Sequence, residues 1–196
     1  MDGTTMETLD YSAADYPTLR TLMLHNRFPG KTIFNFLNLY SVWLFKHNPV
    51  FRESVTAMRD ISKTLIDSGV ISVFLRSKRL RGPTFTRSIL NDPELLAHKT
   101  HFFLGFNDQE LDHICTLFSL LLRQNVFGHV SAYTKTPRAA YGFREDSAEI
   151  DTIAALIQQQ KINYLWIGTG NPRQEIMARE LHGRVAVDYI LSLIHI

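Results

Sequence analysis

One cysteine, Cys115, stands in 196 residues. A lone thiol closes no internal disulfide, which fits a reducing compartment and excludes a disulfide-stapled secreted scaffold. Cys115 lies in the helical run Leu111–Leu122, where a small buried hydrophobe is the plainer reading. A reactive thiol needs a neighbouring base and an electropositive setting, and the sequence displays neither. Long apolar runs are also missing. The best, Leu37–Phe45 and Leu117–Leu122, fall far short of the ~20 residues that span a bilayer. The start, Met1-Asp2-Gly3-Thr4, has no basic region followed by an apolar core, so no signal peptide is indicated. A cytoplasmic protein is expected, at most peripheral at the inner face of the membrane. There is no Asp-x-Asp pair and no His-x-x-x-His spacing, so no metal site is expected. A formal net charge of +2 is too small to argue for nucleic acid.

What is present describes a globular chain. The apolar fraction is 45% and the charged fraction 20%, near the averages for folded domains. A chain of this length fits one domain and buries roughly 70% of its unfolded surface without staples. The charge is unevenly spread. Arg76, Lys78, Arg79, Arg81 and Arg87 fall close together with no acid among them. They form either a solvated basic face or a surface for phosphates.

Hydrophobic periodicity divides the chain into strands and helices. Residues 1–30 are polar and weakly patterned, with a short helix near Tyr16–Leu24 and a turn at Pro29-Gly30. Strands are expected at Thr32–Leu37, His101–Gly105, Val126–Tyr133 and Asn163–Gly168. Helices are expected from Asn48-Pro49 onward through Val50, Val55, Met58 and Ile61, then over Ser68–Ser77, Thr84–Leu90, Asp108–Arg123, Ser147–Gln160 and Asn171–Gly183. Thr134–Phe143 reads as a loop. Strands separated by helices imply an α/β, Rossmann-like domain with a mostly parallel sheet.

The segment richest in chemistry is Leu165-Trp166-Ile167-Gly168-Thr169-Gly170-Asn171-Pro172-Arg173-Gln174-Glu175. A buried strand runs into two glycines, and a helix opens at once. Asn171 suits the N-cap, Pro172 the first helical position, and Gln174 completes a capping-box spacing. Such a junction puts unpaired N–H groups and the positive helix end at the carboxyl edge of a sheet, which favours an anion. Gly168 and Gly170 allow close approach of a phosphate or ribose, Arg173 pairs with a phosphate, and Gln174 offers both donor and acceptor. A plain strand-to-helix turn is the competing reading. The dinucleotide fingerprint is incomplete, lacking its third glycine and the acid after a following strand, so NAD is disfavoured.

Gly168-Thr169-Gly170-Asn171-Pro172-Arg173-Gln174-Glu175 resembles the Gly-x-Gly-x-Pro-Lys/Arg-Gln-Glu signature of the WecG/TagA/CpsF glycosyltransferases, glycosyltransferase family 26. Phe36-Leu37-Asn38 resembles the family's Thr-x-Asn, with Phe36 in place of Thr. Asp67-Ser68 sits where the family has Asp-Gly, and Arg79-Leu80-Arg81-Gly82 resembles its Arg-Val-x-Gly element, followed by Phe85. The resemblance runs from about residue 31 to residue 187. It implies an inverting transfer, without a required divalent metal or cofactor, from a uridine diphosphate sugar (UDP-sugar) to an undecaprenyl-diphosphate-linked acceptor. The sugar implied is an N-acetylhexosamine, such as N-acetylmannosamine, or a related hexose, in bacterial teichoic acid, enterobacterial common antigen or capsule synthesis. Asp67 matches the general base and Arg79 an arginine near the diphosphate, while Asn38 and Gln174 match polar residues of the donor pocket.

The resemblance stops near Val187. Residues 188–196 read as a truncated or non-native tail, and its apolar side chains at 190, 191, 193, 194 and 196 are expected to lie uncovered and promote self-association. The sequence therefore leaves a second reading open, a non-catalytic nucleotide-binding module or an inactive fragment of such an enzyme. A homo-oligomer is compatible with either.

Overall fold

The computed structural model describes residues 14–25, 27–28, 31–97, 99–118, 126–129 and 147–192. Six strands form one parallel sheet: β1 (Thr32–Leu37), β2 (Ser62–Ile66), β3 (His101–Leu104), β4 (Val126–His129), β5 (Tyr164–Ile167) and β6 (Tyr189–Ser192), in the order β2-β1-β6-β5-β3-β4. The described helices are α1 (Tyr16–Leu24), α2 (Leu39–His47), α3 (Pro49–Ala57), α4 (Gly69–Phe74), α5 (Gly82–Leu90), α6 (Pro93–Leu96), α7 (Asp108–Phe118), α8 (Ser147–Gln159) and α9 (Arg173–His182). The α/β, Rossmann-like expectation is met.

The sheet is covered on both faces, which is why β1, β3 and β5 are buried along their whole length and read as continuous apolar runs. One face packs Phe34, Phe36, Phe103, Trp166 and Leu191 against α1, α5, α6 and α7. The other packs Ile33, Leu104, Ile167 and Ile190 against α8 and α9. A smaller cluster at the β1–β2 end joins Leu37 and Ile66 to Val42, Leu44 and Phe45 of α2, Phe51 of α3 and Ile71 of α4. The short helix expected in the polar N-terminal segment is present and joins the packing of the first face. This helix, α1, buries Leu19 and Met23, and Arg20 clamps it to α6 through Asp92 and Glu94.

The tail requires a correction. Tyr189–Ser192 is not left uncovered but forms β6, inside the sheet between β1 and β5. Ile190 faces Ile33 on one side and Leu165 on the other. Its side chain is fully buried, because neighbouring strands satisfy its backbone while α9 covers its face. Residues 193–196 lie outside the described residues, as do the end of the expected helix beyond Phe118, the end of the expected strand beyond His129 and the loop Thr134–Phe143. Three elements carry little sequence signal: β2, a short half-exposed edge strand; α2, masked in a run without amphipathic periodicity; and the single turn α6.

Candidate active site

Asp67, Asn38 and the Gly168–Gly170 turn follow the carboxyl ends of three strands, the edge where open α/β folds hold ligands. Asp67 follows β2, Asn38 follows β1, Gly168–Gly170 follow β5 and Gly105–Asn107 follow β3.

Asp67 is half-buried and fixed from two directions. Its N–H donates to the Leu37 carbonyl at 2.9 Å, while the N–H of Leu80 donates to the Ile66 carbonyl at 2.8 Å. That second bond draws residues 79–81 back along the end of β2. Arg79 Nε then donates to the Asp67 carbonyl oxygen at 2.6 Å, and the Gly82 N–H donates to Asp67 Oδ1 at 2.9 Å. Asp67 therefore does not cap the helix that follows it. Ser68 caps α4, and Asp67 braces the start of α5, whose own cap residue Arg81 supplies no side-chain bond.

Asn38 caps α2, its Oδ1 accepting from the Ser41 N–H at 2.9 Å and the Ser41 hydroxyl at 3.1 Å. Asn171 Nδ2 donates to Ser41 Oγ at 2.9 Å. This chain ties the end of β1 to the glycine turn after β5. It also replaces the expected capping box of α9, which is a correction. Asn171 is engaged across the sheet edge, Pro172 takes the cap position, and no side chain caps the helix.

The two glycines differ in their reasons. A Cβ on Gly168 would lie 2.3 Å from Phe106 Cε2, so the ring of Phe106 already takes the close approach there. Gly170 has φ +77°, and a Cβ there would meet nothing within 4 Å. It is needed for the left-handed turn and faces open space. Both line a cleft of about 710 Å3 with Gly105, Phe106 and Asn107 after β3, one side of α7 including Glu110 and His113, and Arg87 of α5. This size suits a small molecule. Asn107 and Glu110 also bond reciprocally at 2.8 and 3.0 Å to open α7. The sequence reading did not single out Phe106, Asn107 or His113. The available signal was Gly105, which ends a buried strand just as Gly168 does and has φ +95°.

Asp67, Arg79, Asn38, Arg173 and Gln174 are not among the residues lining this cleft. Arg173 is half-buried at the start of α9. Gln174 is buried, its Nε2 donating to Glu175 Oε1 at 3.0 Å while its Oε1 has no partner. Among the described residues, no group of three or more His, Cys, Asp and Glu is placed to hold a metal.

A glycosyltransferase family model, WecG/TagA/CpsF, matches residues 5–193. The chain belongs to this family. No curated relative matches it. WecG/TagA/CpsF membership makes the protein a glycosyltransferase of cell-surface polysaccharide synthesis, a class that uses a nucleotide-sugar donor and a lipid-linked acceptor. Among the described residues no helix is long and apolar enough to cross a membrane.

Glu175, the last residue of the family signature, carries a pH prediction. Burial pushes its carboxyl up to about 7, although the Gln174 amide opposes the shift. The folded state then holds a proton that the unfolded chain releases near 4.5. This contribution to stability is present below pH 4.5 and lost as pH rises through 7. The full shift corresponds to on the order of 3 kcal/mol. His101 works in the opposite sense. Burial, aided by Lys99, holds it down to about 4, so its contribution is lost as pH falls. Glu175→Gln keeps the amide contact and removes the charge. It is expected to be more stable than the wild type at pH 8, with the advantage vanishing by pH 4.5. Urea unfolding of both proteins at the two pH values checks this, and parallel pH profiles would refute it.

Proposed function

We propose that this protein is an inverting hexosyltransferase, moving an N-acetylhexosamine-type unit such as N-acetylmannosamine from a UDP-sugar to an undecaprenyl-diphosphate-linked acceptor. The observation that carries the reading is the hydrogen bond from Arg79 to Asp67. Through the Asp67 backbone carbonyl it brings the two residues, twelve positions apart in sequence, to the same sheet edge of a WecG/TagA/CpsF protein. Asp67 is the general base. With Oδ1 engaged by Gly82, Oδ2 takes the proton of the acceptor hydroxyl as that oxygen attacks the anomeric carbon and UDP departs with the bonding pair. Arg79, Arg173 and Arg87 offset the charge that develops on the leaving diphosphate. Asn38 and Gln174 take the donor-pocket places that the family resemblance implies. The reaction uses no cofactor. The protein works in the cytoplasm, at the inner face of the cell membrane.

The glycine turn is the point of test for the donor. The protein is expected to bind UDP more tightly than NAD in isothermal titration, and to transfer sugar in a radiolabelled assay. Gly170→Val is expected to abolish UDP binding by placing a branched side chain, in a backbone region it disfavours, where the ligand sits. Unchanged UDP affinity in a folded variant would remove the turn from the donor site. UDP binding with no transfer would favour the non-catalytic module.

A further inference from the structure

Two neighbouring helices turn large apolar side chains outward. On α2, Leu39, Tyr40 and Trp43 are exposed, Trp43 by 47%; on α4, Val70, Val73 and Phe74 are exposed, Val73 by 78%. The two helices share one core through Val42, Leu44, Phe45 and Ile71. They also follow the paired strands β1 and β2 at the carboxyl edge of the sheet, which places their exposed residues at that edge. Single exposed apolar residues are ordinary, but six on two adjacent helices form a patch of the kind that marks an interaction surface. Tyr40 and Trp43 stack with ring centroids 5.9 Å apart, and Trp43 lies 5.0 Å from the ring of His47. Aromatic rings with a polar edge suit the boundary between acyl chains and headgroups.

The charge around the patch selects the occupant. Residues 38–52 and 68–91 contain no acid. They carry Lys46 beside Trp43, and Arg76, Arg79 and Arg81 beyond Phe74, the three arginines exposed. Lys78, on the same stretch, pairs with Asp15 at 2.7 Å. Apolar residues bordered by cations match an anionic bilayer, where hydrophobic insertion and headgroup attraction act together.

Position supplies the second argument. α2 starts directly after Asn38, and α4 starts two residues after Asp67. The patch therefore begins where the candidate base ends. We infer that the α2–α4 face is the surface by which this protein lies on an anionic membrane, presenting the Asp67 edge to a headgroup-level acceptor. The inference rests on the proposed function for the lipid-linked acceptor, and goes beyond it in naming the surface.

The protein carries its own reporter. It has two tryptophans, of which Trp166 is fully buried and Trp43 is not. Vesicles of phosphatidylcholine mixed with phosphatidylglycerol are expected to bind the protein in a flotation assay and shift Trp43 emission to the blue. Phosphatidylcholine alone, or added salt, should bind it much more weakly. Trp43→Phe should abolish the shift. The double variant Val73→Glu/Phe74→Glu changes exposed side chains only. It should keep wild-type UDP affinity and circular dichroism while its vesicle affinity falls about tenfold or more. Absence of wild-type binding to the anionic vesicles, or equal binding by the double variant, would overturn the inference. So would a wild-type dimer that the double variant converts to a monomer with vesicle binding unchanged, since a second copy would then occupy the face. Loss of UDP binding in the wild type, with vesicle binding intact, would instead count against the proposed function.

Discussion

Asp67→Asn is expected to lower turnover by roughly 10²–10⁴, the usual worth of a general base, while leaving donor binding nearly unchanged. Asn keeps an oxygen to accept from Gly82, so the brace at the start of α5 survives. The backbone carbonyl that Arg79 contacts is untouched as well. What disappears is the ability to accept a proton. The two roles of Asp67 therefore separate in a single variant. A purely structural role predicts normal turnover in Asp67→Asn but a loss of stability in Asp67→Ala, where the Gly82 N–H loses its acceptor. Radiolabelled transfer for turnover, titration for UDP and thermal unfolding for stability together distinguish them. Near-normal turnover in Asp67→Asn would return this residue to the role of a brace.

Ile190→Ala should destabilise the protein by about 2–5 kcal/mol, the range for truncating a well-packed core isoleucine. Ile190→Asp should prevent folding altogether. The side chain is fully buried in β6, with Ile33 and Leu165 as its strand neighbours. An unpaired carboxylate in that position has no compensating partner, and burial of an isolated charge is far costlier than the stability of a domain this size supports. Circular dichroism and urea unfolding measure both variants. A folded Ile190→Asp protein with wild-type stability would show that Tyr189–Ser192 is not the strand joining β1 to β5. The apolar run near the chain end is therefore a structural requirement through Ser192 rather than a hazard.

The candidate site was legible in part, and the division is physical. Gly168-Thr169-Gly170 announced a tight strand-to-helix turn because few other sequences permit one, and Gly170 does take the left-handed conformation. Yet its neighbour Gly168 is explained by Phe106, a contact between residues far apart in the chain. Asn171 had all the local credentials of a cap and is instead held by Ser41, since its amide Nδ2 finds there an acceptor that only the tertiary structure supplies. Phe106, Asn107 and His113 carry no local signature. They line the cleft only because β3 lies beside β5.

By itself, the sequence determined the local and the additive. Apolar runs set β1, β3 and β5, the last two ending in glycine, amphipathic periods set α7 and α8, and the glycine–proline–arginine signature fixed the family. These follow from backbone sterics and side-chain burial, which act over a few residues. The tertiary structure decided what depends on neighbours in space. It placed β6 in the middle of the sheet, made the short half-polar β2 an edge strand, and folded Arg79 back onto Asp67. Strand order and side-chain partnership arise from contacts between distant segments, and no periodicity within a segment encodes which segment it will meet.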